Sequence, residues 1–470
     1  MRFLIASVSN CEAIMYKDID IVVGGFGRGD LSAALPESRR IDGGVSVNAA
    51  FFRAPNGSQT LYCILDFMDF DQPSVEMMRR AAMEVSNIPA AHVHILTTHN
   101  HSASEIPHIK LDKAAEAVEV AVRQAIADAE PLCMSFACID INEQLNYRRR
   151  IPFKVLPAGM MTTIFYGPSP ENGFAAGPSL KMQLEAFENN GVSRYDGIPD
   201  KDDGKGVHMP PGDPTLAAWR FTALNGNVKG WFCRFAAHAI CCNRIDHYSG
   251  DYPAYLRNAL EREGGLALFF NGPCGDIAPG LPDKRSGYEL ILGEKLAKLA
   301  TKALADSKPE PLRIMRDFMA KVPVAVREDF PNGRQFVSSL DGIAGKRQES
   351  ERRNLESNRA FLESKMATLT GETPGDAAIG LLQLNSVLIL SLPGESFWTT
   401  GESIRKRCNL PDGFTLVTVT EHERTLMYIV PPNECDKGGY ENTCRLVSRD
   451  FEPRLQNAAL HLVESAMQLP

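Results

Sequence analysis

The sequence predicts an α/β protein with mixed β-sheets and flanking helices. Two kinds of pattern carry that expectation. Apolar, β-rich runs such as Leu61 to Phe67 and Val93 to Thr98 read as buried strands. Around them, Ser74 to Val85 and Lys113 to Ala129 carry the apolar spacing of amphipathic helices. The alternation recurs downstream, with Val228 to Ala237 as a strand and Tyr252 to Glu263 as a helix. A Gly264-Gly265 turn, the strand Leu266 to Phe270 and the long helix Leu290 to Ser307 follow. Leu384 to Leu392 reads as a strand that ends at Pro393-Gly394-Glu395, and Pro453 to Met467 as a last helix. The residues themselves show no internal repeat and no low-complexity segment.

Near the start, Gly24-Gly25-Phe26-Gly27-Arg28-Gly29 follows an expected strand, Ile19 to Val23. The spacing G-x-G-x-x-G would place its third glycine where Asp30 stands, and no clear βαβ unit follows. A dinucleotide loop is therefore not expected. Residues 152–213 are rich in Gly, Pro, Asn and Asp, and include Met209-Pro-Pro-Gly-Asp213. A loop of that length inside a compact domain suits a lid or a substrate-binding insertion. Ile343 to Leu369 is highly charged and helical, with a solvated helix expected at about 345–368 and an oligomer contact as the alternative. On this reading residues 1–310 form an α/β catalytic core carrying the 152–213 insertion. Residues 311–470 complete the same catalytic unit.

Composition narrows the function. A chain of 470 residues, 44% of them hydrophobic, can build more than one core. Its 50 basic and 58 acidic residues give a net charge of -8, with no Lys/Arg block. That argues against nucleic acid and against an anionic membrane as partner. No apolar run reaches the roughly eighteen residues of a membrane helix. The N-terminus lacks the small-residue cleavage pattern of a signal peptide. Eleven scattered cysteines without a C-x-x-C suit a reducing cytoplasm and no cysteine-built zinc site. The expected partner is a small-molecule substrate, and a homo-oligomer is left open.

Three segments carry candidate chemistry. In Thr97-Thr98-His99-Asn100-His101-Ser102, His99 and His101 would face one pocket if the chain is extended there. His92 and His94, in the strand before it, are given ordinary core or surface roles. Phe235-Ala236-Ala237-His238 places an imidazole at a strand end among small neighbours, and Gly394-Glu395 places a carboxylate at another. Each alone also fits an ordinary polar residue. Together, two imidazoles and a carboxylate satisfy Zn²⁺ and leave one position for water, whose pKa the ion lowers from 15.7 to about 7.

These segments resemble those of the neutral ceramidases, zinc amidases of the neutral/alkaline non-lysosomal ceramidase superfamily. Residues 97–102 are similar to its Thr-His-Thr-His-Ser-Gly stretch, and Gly25 to Asp30 to its N-terminal Gly-x-Gly-x-x-Asp segment. Asn146-Tyr-Arg148-Arg149 resembles its Asn-Arg motif, and Phe235 to His238 the segment holding its second histidine ligand. Ser249 to Tyr255 resembles its Ser-Gly-Asp stretch, and Asn271 to Pro279 its Gly-Asp-Val-Ser-Pro segment. Pro393-Gly-Glu395 and Tyr428 to Glu434 resemble its last two ligand motifs. The resemblance implies the fold of the ceramidase catalytic domain and one zinc ion on His99, His238, Glu395 and Tyr428. It places His101 beside the metal as a proton carrier and Arg148 or Arg149 near the substrate.

Read without the resemblance, Tyr428 is a buried, hydrogen-bonded tyrosine. Asp251 and Asp276 follow glycines; turn formation explains them, or a role behind a histidine ligand. His108, His247 and His422 are given surface or supporting positions. The chain departs from the family pattern at Ala278, which stands where the ceramidase serine belongs. Cys274, four residues earlier, is a substitute thiol or simply a buried one. No counterpart is expected of the family's C-terminal β-sandwich domain or of its secretion signal.

The expected function is zinc-dependent hydrolysis of a small amide, or of an ester or lactone. A metal-dependent lyase or isomerase, a TIM-barrel amidohydrolase and a non-catalytic binding protein are the alternatives.

Overall fold

One topological unit recurs three times among the described residues. The computed structural model describes residues 20–36, 39–103, 108–152, 160–162, 168–169, 173–174, 211–242, 247–280, 287–327, 375–435 and 440–468. The first unit contains β1 (Val23–Asp30), β2 (Ser46–Arg53), β3 (Gln59–Leu65), α1 (Gln72–Ser86), β4 (Val93–Thr97) and α2 (Leu111–Ala127). The second contains β5 (Glu130–Asp140), β6 (Thr215–Ala223), β7 (Val228–Phe235), α3 (Asp251–Leu260), β8 (Leu266–Asn271) and α4 (Tyr288–Leu304). The third contains β9 (Met315–Pro323), β10 (Asp376–Leu384), β11 (Val387–Ser391), α5 (Trp398–Arg407), β12 (Thr415–Val419) and α6 (Phe451–Met467).

In every unit the first three strands are antiparallel neighbours, and the fourth returns parallel to the third after a helical crossover. The first two units join antiparallel at β1 and β5. The result is a nine-stranded sheet in the order β8-β7-β6-β5-β1-β2-β3-β4, with Glu310–Pro311 beside β5. The third unit forms a four-stranded sheet of its own, in the order β9-β10-β11-β12. The repetition lies in the pairing and not in the residues, which is why the sequence shows none.

Period-two alternation gives each sheet two apolar faces. Phe26, Phe52, Tyr62, Trp219 and Phe232 of the large sheet pack against Leu382, Ile389, Val417 and Val419 of the small one. The opposite faces take helices: α1 and α2 on the first unit, α3 and α4 on the second, α5 and α6 on the third. The layers are therefore helix, sheet, sheet, helix. Mixed, mostly antiparallel sheets of this kind replace the parallel barrel that a TIM-barrel amidohydrolase requires.

The glycine run lies inside β1 rather than after a strand. A Cβ on Gly25, Gly27 or Gly29 would stand 2.3, 2.0 and 2.0 Å from the carbonyl oxygens of Ala125, Ala121 and Ala117. Two residues of strand rise about 6.6 Å and four of helix about 6.0 Å, so the three contacts stay in step. The glycines let α2 lie directly on the sheet. Most of the strand read as Leu384 to Leu392 is β11, Val387–Ser391; only its first residues form a hairpin turn, with β10 ending at Leu384 and Asn385 at φ 51°. The charged helix expected at about 345–368, and most of the 152–213 insertion, lie outside the described residues. No helix among the described residues is long and apolar enough to cross a membrane.

Candidate metal centre

The residues that converge all leave the carboxyl ends of the third or fourth strand of a unit. His99 follows β4, His238 follows β7, Asp276 follows β8, Glu395 follows β11 and Glu421 follows β12. Open α/β sheets leave their crevices at this end of the parallel strands.

His99 sits in left-handed backbone, φ 56°, which is costly for a residue with a Cβ. Asn100 holds that turn: its side-chain amide donates to the carbonyls of Asp66 (3.1 Å) and Ser249 (2.7 Å), and its oxygen accepts from the Ser102 N–H at 2.8 Å. His99 and His101 thus meet through a turn and not through extended chain, with their Nε2 atoms 3.1 Å apart. His99 Nδ1 lies 3.2 Å from the Met68 carbonyl, and His238 Nδ1 lies 2.9 Å from that of Ile277. A carbonyl only accepts, so both rings carry a proton on Nδ1 and turn Nε2 inward. There Glu395 Oε2 stands 3.3 Å from His99 Nε2 and 3.1 Å from His238 Nε2. Donors around one tetrahedral zinc at its usual bond lengths lie about 3.3 Å apart. His99, His101 and His238 form a group able to hold a metal ion.

Tyr428 stands beside Glu395 because Glu395–Ser396 and Tyr428–Ile429 pair in parallel register. Its ring lies 6.3 Å from that of His238, inclined by 19°, and its hydroxyl accepts from Arg149 at 2.8 Å. Arg149 is fully buried and also binds the Gly275 carbonyl and Glu441. Arg150, which the sequence reading passed over, is buried on Glu434 and Glu441. Arg148 is the partly exposed member, 3.3 Å from Asp276 and over the Trp398 ring at 5.7 Å. Of the two arginines expected near substrate, Arg149 supports Tyr428, and Arg148 has an open face. Asp276 does not hold His238 itself. Its carboxylate takes Arg148 and the Trp398 N–H (3.0 Å), and the next carbonyl, Ile277, takes the histidine.

Burial and the Arg149 charge push His238 down to about 4, against the pull of Glu395, so it is neutral at neutral pH. Burial and its two histidine neighbours hold His101 well below the usual range. Burial alone would lower His99 too, but Glu421 and Glu395 outweigh it and raise it well above. Glu395 would rise on burial; His99 and His238 bring it far below the ordinary carboxylate range. Burial raises Glu421, with Glu395 and Asp69 adding to it against His99. Two buried carboxylates beside the neutral His101 and His238, with His99 between the carboxylates, form a centre suited to a divalent cation.

Glu421 is the residue that sequence reading missed. Its Oε1 stands 3.5 Å from His99 Nδ1. Its signal is positional: like His99 it lies two residues past the fourth strand of its unit, and like His99 it has positive φ, 61°. Cys274 is fully buried, and burial pushes its thiol well above the usual value, so it lacks thiolate character. Ala278 lies in a short strand, Ile277–Pro279, opposite Tyr147.

No protein-family model matches the sequence, and no curated protein matches it. Solved structures do. The neutral ceramidase from Pseudomonas aeruginosa superposes with a TM-score of 0.66 at 15% identity, covering 96% of this chain and 76% of that one. A ceramidase complexed with C2 gives 0.65 at 13% identity, with the same coverage of both chains. The course of the backbone agrees with theirs: this chain has the neutral ceramidase fold.

Proposed function

We propose that the protein is a zinc-dependent hydrolase of a small amide, or of an ester or lactone, centred on His99, His238, Glu395 and Tyr428. The observation that carries this reading is the meeting of Glu395 Oε2 with two inward-turned Nε2 atoms at 3.3 and 3.1 Å. When bound, Zn²⁺ supplies Lewis-acid chemistry and lowers the pKa of water to about 7.

The protein's own residues do the rest. Glu395 and Tyr428 stand side by side, and Arg149 orients the phenol. His101, kept neutral by burial, takes up a proton at Nε2 and delivers it to the leaving nitrogen or oxygen. Arg148, with its free face beside Trp398, binds a polar or anionic part of the substrate. Carboxylates at Asp276 and Glu434 fix that guanidinium.

Zinc analysis and activity on N-acyl amides and lactones test the proposal together. Chelation should abolish turnover and Zn²⁺ should restore it, and His238→Ala should lower it by more than about a hundredfold. Full turnover in the metal-free protein would refute it. A lyase or isomerase on the same residues is the alternative, favoured by Ala278 in place of the serine. Product mass separates the two, since hydrolysis adds one water.

A further inference from the structure

A second group of buried polar side chains lies between the two sheets, beyond the centre above. His94 on β4 and His422, past β12, bring Nδ1 and Nε2 to 3.0 Å. Glu423 Oε1 stands 3.5 Å from the same His422 Nε2. Both imidazoles are fully buried, and Glu423 is nearly so. The other nitrogen of each ring is taken: His94 Nε2 lies 2.9 and 3.1 Å from the two oxygens of Asp317, and His422 Nδ1 lies 3.3 Å from the Ala378 carbonyl. Carboxylates and carbonyls only accept, so each ring carries its proton on that outer nitrogen. The inner nitrogens and the Glu423 oxygen are then three acceptors facing one another. Such a junction is repulsive unless a cation lies in it.

We infer that His94 Nδ1, His422 Nε2 and Glu423 Oε1 hold a second divalent metal ion of the zinc class, distinct from the catalytic one. Two imidazoles and a carboxylate are a zinc-type donor set, and the group meets the distances a shared ion needs. Asp317 behind His94 is the carboxylate that commonly orients a metal-bound histidine. Gly380 leaves the junction room: a Cβ there would stand 3.2 Å from both rings. Arg79, paired with Glu423, and His92, 2.8 Å from Asp317, complete the surrounding charges.

The ion ties the first unit to the third. The strap 421–423 already runs along β4, with Thr97 N–H donating to the Glu421 carbonyl at 3.2 Å and Glu423 N–H to that of Ile95 at 2.8 Å. The same strap carries Glu421 to His99. The second ion is therefore structural, and it steadies the side of the catalytic centre away from substrate.

The full-length protein is stripped with chelator, reloaded with Zn²⁺ and assayed for bound zinc by mass spectrometry. Wild type should hold two ions. His422→Ala and His94→Ala should each hold one, as should His238→Ala by loss of the other ion. Gly380→Ala, which keeps every donor, should weaken the second ion at least tenfold while leaving the first in place. Wild-type stoichiometry in His422→Ala and undiminished zinc in Gly380→Ala would overturn the inference. The junction would then be held by a proton, an imidazolium at His94 between Asp317 and His422. Failure of the catalytic reading shows separately, as an unchanged ion count in His238→Ala.

Discussion

His99 places one imidazole between two carboxylates by taking a backbone shape that non-glycine residues avoid. Glu395 reaches its Nε2 side and Glu421 its Nδ1 side, so the two have different tasks. On the proposed reading Glu395 is a ligand, whereas Glu421 fixes and polarises the ring from behind. Glu421→Gln keeps the shape and removes the charge. It should lower zinc affinity by about 10- to 100-fold with little change in fold, as partners behind a ligand do. Competition with a chromophoric chelator measures this, and an unchanged affinity would leave Glu421 without a role at the metal. Three of the four proposed ligands stand in recognisable local settings, an imidazole or carboxylate at the end of an apolar run. Glu421 has no such setting, because Thr420-Glu421-His422 looks like any polar turn until β12 is laid beside β11.

At the scale of elements, the strands and helices that the sequence reading placed agree with the structure to within a few residues. β1 shows one cause of a missed element. A glycine-rich stretch reads as a loop because glycine is depleted in strands, yet β1 needs glycine where α2 crosses it. The requirement comes from a helix starting at Leu111, so nothing local to residues 24–29 announces it. Gly27→Ala should therefore be destabilising despite alanine's small size. Its Cβ would meet the Ala121 carbonyl at 2.0 Å, and overpacking of this kind costs about 1–3 kcal/mol. A lower urea midpoint at constant slope is the expected result, and an unchanged midpoint would mean that α2 moves away freely.

For the whole molecule, the interface between the sheets decides both stability and site. Asp317 of β9 enters that interface against His94 of β4, so the large and small sheets share a buried histidine–carboxylate hydrogen bond as well as an apolar core. Without metal, burial would raise the Asp317 carboxyl, but the pull of His94 and hydrogen bonds from His92 and His94 bring it down to about 2. A carboxyl lowered on folding stabilises above its unfolded value, about 3.9, and loses that contribution as pH falls towards 2. In that window the unfolded chain binds more protons. Metal-free wild type should thus lose stability between about pH 4 and pH 2, and Asp317→Asn should flatten that part of the profile. Urea midpoints across the range, with chelator present throughout, give the comparison.

Residue order alone determined the alternation of strands and helices and the identity of the segments that end in metal donors. It did so because periods of two and 3.6 residues are short-range properties that each segment carries with it. Only the tertiary structure decided that the same unit is used three times, and that His238 and Glu395, 157 residues apart, share one oxygen-to-nitrogen contact. Convergence of that kind depends on how sheets stack and where crossovers return, which no single segment encodes.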